Sequence, residues 1–198
     1  MEDIASKCER SALYKFLSLC YCVPDGEMLT ILRDLSESAD EPYSELAGMV
    51  PGEDALRVLK IDHSRLFVGP FRLLAPPYGS VYLEGDGRLA AVSAVDVGRR
   101  FRQEGLELAI KEAPDHITAE LEFMHFLISR EIEATNRSDD VTASRYSRKR
   151  RSFVETHLGR WVSDFAANVR ANAETEFYKT VALVTESLVS GECAPTRQ

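Results

Sequence analysis

Apolar residues recur at three- and four-residue spacing along almost the whole chain, and one stretch breaks that rhythm. The period puts apolar side chains on one face of a helix, so such a chain buries its faces helix against helix. It predicts a first helix over residues 4–22, stopped by Val23-Pro24-Asp25-Gly26, and a second over 27–38 with Met28, Ile31, Leu32 and Leu35 on one face. A short third helix is opened by Glu41-Pro42 and broken by Pro51-Gly52. A fourth, over 53–67, turns Leu56, Leu59, His63 and Phe67 inward, and a fifth covers 94–104. The longest begins at Pro114 and reaches Thr135, ahead of a polar break at Asn136–Asp140. Helices over 142–157, 160–171 and 174–189 follow. The expected fold is all-α: one compact multi-helix bundle of 198 residues with a single long Pro/Gly-rich loop.

The bulk numbers exclude several classes. A chain of 198 residues can bury a sizeable core, and 44% hydrophobic with 28% charged residues fits a soluble globular protein. No apolar run approaches the roughly 20 residues that span a bilayer. Ala12–Val23 is interrupted by Lys15 and preceded by Glu2, Asp3 and Glu9, the reverse of a secretory leader, so a cytoplasmic protein is expected. The net charge of −8 argues against nucleic-acid binding and suits a cationic partner. Cys20-x-Cys22 has no second pair to complete a zinc site, so Cys8, Cys20, Cys22 and Cys193 read as buried thiols.

The period is lost from Val68 to Leu83, where Gly69, Pro70, Pro76, Pro77 and Gly79 make a long loop. Consecutive prolines fix the backbone and remove two donors. A pre-shaped loop presents Tyr78 and Tyr82 at low entropic cost, as a peptide-binding surface requires; a tight turn whose aromatics cap the bundle explains the same residues. Val81-Tyr82-Leu83 and Leu89–Val92 flank Gly85-Asp86-Gly87, which also admits a small hairpin. In the second cluster, Pro114–Leu127, Pro114 marks a helix start and Asp115 is placed as its N-cap. His116 then falls in the first turn, one turn before Glu120. Asp115 either caps the helix, receives an arginine or holds an imidazole. Ile117, Leu121, Met124 and Ile128 form the buried stripe, with Phe123 and Leu127 beside it.

Taken together, Leu66-Phe67-Val68-Gly69, Pro76-Pro77-Tyr78-Gly79-Ser80-Val81-Tyr82 and Pro114-Asp115-His116 resemble the signature of the TorD/DmsD/NarJ family of molybdoenzyme maturation chaperones. His157-Leu-Gly-Arg-Trp161 and Phe177–Val184 resemble that family's later segments, so the likeness covers most of the chain. Some members carry tryptophan where this chain has Tyr78, and its sole tryptophan is Trp161. The resemblance implies a protein with no catalytic, metal or cofactor role of its own. It would bind the N-terminal, twin-arginine-type signal of a molybdopterin-dependent oxidoreductase precursor and hold the apo form until the cofactor is loaded. Leu66, Phe67, Tyr78 and Tyr82 would then be apolar contacts and Asp115 the group for the cationic end. His116 would order that site, and Gly69, Pro76, Pro77 and Ser80 would shape the loop. A monomer and a dimer that swaps helices about the 136–140 break are both compatible.

Rival readings have specific motifs. Glu122-Phe-Met-His125 is the Glu-x-x-His unit of di-iron carboxylate enzymes, but His63, His116 and His157 have no glutamate three residues before them. Nucleotide binding has been proposed within the family, yet no phosphate-cradling G-x-x-x-x-G-K-[ST] loop is present. The run Arg145, Arg148, Lys149, Arg150 and Arg151 reads as a solvated helical face. Glu84-Gly-Asp86-Gly lacks the remaining ligands of a calcium loop and reads as a turn.

Overall fold

The computed structural model describes residues 3–38, 43–50, 54–69, 73–84, 92–107 and 113–193. Among them the regular structure is helical: α1 (Ile4–Cys20), α2 (Gly26–Ser38), α3 (Tyr43–Gly48), α4 (Ala55–His63), α5 (Gly79–Leu83), α6 (Val92–Gln103), α7 (Ile117–Asn136), α8 (Asp140–Thr156), α9 (Leu158–Asn172) and α10 (Glu176–Cys193). Short acidic side chains start several of them by accepting from an otherwise orphaned amide: Asp3 from Ser6 N at 2.7 Å, Asp25 from Met28 N at 2.8 Å and Asp139 from Thr142 N at 3.0 Å. The all-α expectation holds, with boundaries within a few residues of those read from the period.

Four local features differ from the sequence reading. The fourth helix does not run straight to Phe67; it widens at Ser64–Val68 into a π-helical turn closed by Gly69 N donating to Ser64 O at 2.7 Å. Gly69 ends it at φ +43°, a left-handed value that glycine tolerates. Val81-Tyr82-Leu83 lies in the short helix α5, so this half of the hairpin reading is replaced by helix. The N-cap of α7 is His116, whose Nδ1 accepts from Thr118 N at 3.2 Å, rather than Asp115. The polar break tightens to a three-residue turn in which Ser138 takes φ +57° and Asp139 N bonds back to Ala134 O at 2.9 Å. Glu41-Pro42, Pro51-Gly52, Pro70 and the Gly85-Asp86-Gly87 turn lie outside the described residues, as does the side chain of Cys193. Cys20 is buried as expected, but Cys22 is half-buried and Cys8 exposed.

Helix α7 lies at the centre, packed between α1 and α8, while α9 packs on α10, α8 and α5. The largest wholly buried side chains, Trp161, Tyr14, Tyr178, Phe153, Phe165 and Phe177, come mostly from α8, α9 and α10. Around α7 a buried cluster of charges is paired. Glu131 of α7 meets Lys7 of α1 at 2.6 Å and Arg150 of α8 at 3.4 Å, and Arg150 also bonds Glu192 of α10. No helix among the described residues is long and apolar enough to cross a membrane.

One buried side chain joins the two ends of the fold. Asp62 of α4 accepts from Glu174 N at 3.0 Å, Thr175 N at 2.8 Å and Thr175 Oγ1 at 2.8 Å, and pairs with Arg65 at 3.0 Å. Its carboxylate therefore caps α10 from 112 residues earlier in the chain. Asp62→Ala strands those donors and is expected to lower unfolding stability by about 3 kcal/mol in a urea titration. Asp54→Ala removes an exposed carboxylate with no side-chain cap bond and should change it by less than about 0.5 kcal/mol.

Candidate functional site

The two unusual clusters meet. Gly79 N donates to Asp115 O at 2.9 Å and Ile117 N donates to Pro77 O at 2.8 Å, so Tyr78 and His116 pair as a single antiparallel bridge between otherwise helical segments. The Asp115 carboxylate adds a third tie, Oδ2 accepting from Ser80 N at 2.7 Å. Asp115 thus caps α5, which the sequence did not show as a helix, instead of the α7 that follows it. Pro76-Pro77 can lie here because the ladder needs only the Pro77 carbonyl, and proline lacks no acceptor. On the other side Ala75 N donates to Leu66 O at 3.0 Å, fastening the loop to the π-helical turn.

Beneath this junction sits Trp161 of α9. Its Nε1–H donates to Glu120 Oε2 at 3.2 Å, its ring stacks on Tyr82 with centroids 5.6 Å apart, and it contacts Phe165 at 5.4 Å. A Cβ on Gly79 would lie 2.9 Å from Nε1, so only glycine lets α5 approach the indole this closely. Glu120 is 1% exposed, and that burial pushes its carboxyl well above the usual range. The Trp161 hydrogen bond works against the rise and the charge of Asp115 adds to it. The Tyr82 hydroxyl accepts from Asn168 at 3.3 Å, and burial of the ring holds its phenol up to about 12. The Ser80 hydroxyl and Asp115 Oδ1 are buried without a hydrogen-bond partner among the described residues.

The expected contact residues divide by burial. Leu66 and Phe67 are in the core, Phe67 packing edge-on against His63 at 5.1 Å and Tyr178 at 5.5 Å. Pro77, Ser80 and Asp115 are also buried. Half-buried positions are Gly69, Pro76, Tyr78, Tyr82 and His116, with the Tyr78 and His116 rings edge to face at 5.1 Å. Val68 and Leu74 are exposed apolar side chains on the same loop. Sequence reasoning passed over Trp161 and Glu120 as members of this site. The signals were present in His157-Leu-Gly-Arg-Trp161 and in the carboxylate one turn after His116, but nothing local joins them.

The rival chemistries find their residues engaged elsewhere. Glu122 accepts from Lys15 at 2.5 Å and Ser18 at 2.9 Å, while His125 Nδ1 lies 2.9 Å from Ser11 Oγ. His63 is buried against Tyr21 O at 3.2 Å, and that burial holds its pKa below the ordinary value. His157 contacts Asp96 at 2.7 Å and is lowered in the same way, though Asp96 opposes the shift. Among the described residues no group of three or more His, Cys, Asp or Glu side chains is placed to hold a metal ion.

The described residues form an all-helical protein whose distinctive junction joins α5, α7 and α9 around buried Asp115, Glu120 and Trp161. The sequence profile of the nitrate reductase delta subunit family matches residues 32–167, more than two-thirds of the chain, and the chain belongs to that family. It is 28% identical over 207 residues to the perchlorate reductase assembly chaperone protein of Dechloromonas aromatica, covering 96% of this chain and 90% of that one. It is 29% identical over 160 residues to the chaperone protein TorD of Photobacterium profundum, covering 77% and 73%. A protein from Archaeoglobus fulgidus described as a redox enzyme maturation protein shares the fold, with a TM-score of 0.63 at 23% identity over 91% of this chain and 93% of that one. The role this supports is that of a chaperone, and not of a catalyst.

Two substitutions test the junction. Gly79→Ala forces the indole or α5 to move and should cost about 1–3 kcal/mol with a shifted tryptophan emission, whereas Gly26→Ala meets nothing within 4 Å and should not destabilise. Because burial raises the Glu120 carboxyl, the unfolded chain ionises first as pH rises past 4.5, and folded stability falls from there toward the raised value. Glu120→Gln abolishes that fall. The melting temperature of the variant should therefore gain on that of the wild type as pH rises past 4.5, and a constant difference would show that the fold does not raise the Glu120 carboxyl.

Proposed function

We propose that this chain is the dedicated cytoplasmic chaperone of a molybdopterin-dependent oxidoreductase, binding the enzyme's N-terminal twin-arginine-type signal and its apo form before cofactor loading. The observation that carries the reading is the Tyr78–His116 bridge: two segments that resemble a chaperone signature, thirty-odd residues apart, close on one another and leave an aromatic edge half-open to solvent. Named relatives that are assembly chaperones support the same role.

Burial supports the following division of parts. Tyr78, His116, Pro76 and Tyr82 would meet the client, together with exposed Val68 and Leu74 for its apolar stretch. Aromatic faces attract guanidinium groups and bury the methylenes beside them, which suits an arginine pair followed by apolar residues. Leu66, Phe67, Gly69, Pro77, Ser80 and Asp115 would hold that surface in shape rather than touch the signal. The net charge of −8 would draw the basic leader toward the protein.

The test is calorimetric titration of the purified chain with a synthetic twin-arginine leader peptide. Tyr78→Ala should weaken binding about tenfold, or about 1.4 kcal/mol, with an unchanged melting temperature. Asp115→Ala should lower the melting temperature itself, since it uncaps α5. Unaltered affinity in a folded Tyr78→Ala protein would remove this surface from leader binding. Affinity that does not fall when salt is raised from about 0.05 M to about 0.5 M would make the contact apolar alone.

A further inference from the structure

Helices α6 and α8 lie side by side and antiparallel, joined by a polar seam. Lys149 meets Glu104, Arg100 reaches Ser152 at 3.4 Å and Thr156 at 3.2 Å, and His157 meets Asp96 at 2.7 Å, so α8 ascends as α6 descends. The inner side of the pair is apolar, with Ala94, Val97 and Phe101 on α6 and Phe153 and Val154 on α8. An antiparallel seam turns the exposed rows of both helices to one face of the protein. That face carries Arg99 and Arg102 of α6 and Arg145, Arg148 and Arg151 of α8, all exposed. The basic run of the sequence is thus split. Arg150 turns inward to Glu131 and Glu192, Lys149 fills the seam, and the other three join two arginines from another helix.

This face is positive on a chain whose acids outnumber its bases, 32 to 24. Elsewhere exposed helical cations have a carboxylate one turn away: Arg57 has Asp54, Arg130 has Glu133 and Lys179 has Glu176. From Val141 to Val154 the sequence of α8 holds no acidic residue, and Glu155, one turn after Arg151, offsets one charge of the row. Asp96 is shared among Arg99, Arg100 and His157, and Glu104 is nearly buried under Lys149. Asp139, which faces Arg145, already accepts from Thr142 N. Arg102 and Arg148 have no acidic partner among the described residues. Arg145 to Arg151 spans about 9 Å at 1.5 Å per residue, and neighbouring helices lie about 8–10 Å apart. The patch is therefore about as wide as the roughly 8 Å over which charge acts at physiological salt. A group docked on it feels the guanidinium groups beneath it more than the net charge of −8. An extended anionic surface, a membrane or a nucleic acid, would also meet the acidic remainder of the chain. Arginine forks pair two-pronged with carboxylates, so a compact acidic patch on a protein is the better match.

We propose that the α6–α8 face is a docking surface for an acidic helix on a partner protein, with carboxylates spaced one turn apart. Glutamates at i, i+4 and i+7 of such a helix span about 10 Å and lie over the arginine rows. A basic leader is repelled by the same face, so this partner surface differs in chemistry from the segment assigned to the Tyr78–His116 edge. It rests on the geometry of α6 and α8, and not on the chaperone reading.

The test is fluorescence anisotropy with a fluorescein-labelled synthetic helix of about 15 residues carrying glutamates along one face, and a counterpart with lysine in their place. Net charge alone predicts that the lysine peptide binds better. The arginine face predicts the reverse, by at least about tenfold at about 0.05 M salt. Arg102→Glu combined with Arg148→Glu should weaken the glutamate peptide about tenfold at an unchanged melting temperature. Arg57→Glu combined with Lys179→Glu makes the same change in net charge on α4 and α10, and should leave that affinity unaltered. The proposal is overturned if the wild type does not prefer the glutamate peptide, or if the two double variants weaken it equally. Tighter binding to vesicles with about 30% phosphatidylglycerol, or to an RNA duplex, with the same dependence on Arg102 and Arg148, would assign the face to phosphate instead. A wild-type dimer in sedimentation that Arg102→Glu with Arg148→Glu dissociates would place a second copy of this chain there, and would overturn it too. Neither peptide contains a leader, so failure here sinks this surface alone and leaves the leader titration to be judged separately.

Discussion

A single buried indole sets the geometry around the site. Trp161 is wholly enclosed, yet it carries one N–H that must find an acceptor, because an unsatisfied buried donor costs about 1–3 kcal/mol. The acceptor is Glu120, and taking that role draws a carboxyl group into apolar surroundings where its charged form is disfavoured. The same ring leaves no room for a side chain at position 79 and offers its face to Tyr82. Three oddities of the sequence follow from this one ring: a glycine inside Pro-Pro-Tyr-Gly-Ser, an acid one turn into the central helix, and a tryptophan one turn into α9. Helices α5, α7 and α9 are fixed to one another there, so the Tyr78–His116 edge above them is held by packed interior and is no free loop.

The helices were legible because their period and their caps are local. Asp3, Asp25 and Asp139 each act on an amide three residues ahead, a distance that can be read from the chain alone. What escaped the reading is non-local or too short to be periodic. Helix α5 has five residues, fewer than the two turns that a 3.6-residue period needs to declare itself. Asp115 looked like the cap of its own helix because aspartate is a strong N-cap residue and sits just before α7. Its carboxylate goes instead to Ser80, 35 residues back, and His116 caps α7 in its place. The π-helical turn at Ser64–Val68 depends on Gly69 closing it, and no period distinguishes that turn from an ordinary helix end.

The residues that carry the resemblance divide by burial. A signature marks residue types that a fold requires, and in this chain most of them are required by the interior: Leu66, Phe67, Pro77, Ser80 and Asp115 are buried. Side chains that shape a surface and side chains that form it look alike in a motif, because both restrict the residue type. Burial separates them, and it leaves Val68, Gly69, Pro76, Tyr78, Tyr82 and His116 in the part of the signature that solvent can reach.

Helix α7 connects these levels. Its first residues are held by the Pro77 carbonyl and by His116, its inner stripe seats the core, and Glu131 near its end ties α1 and α8 through Lys7 and Arg150. Its outward apolar residues are covered in turn: Ala119 and Phe123 are buried, Phe123 between Phe101 and Phe153. A helix packed on both sides is apolar on both, so the segment that starts at the Tyr78–His116 edge is anchored along its length by the core.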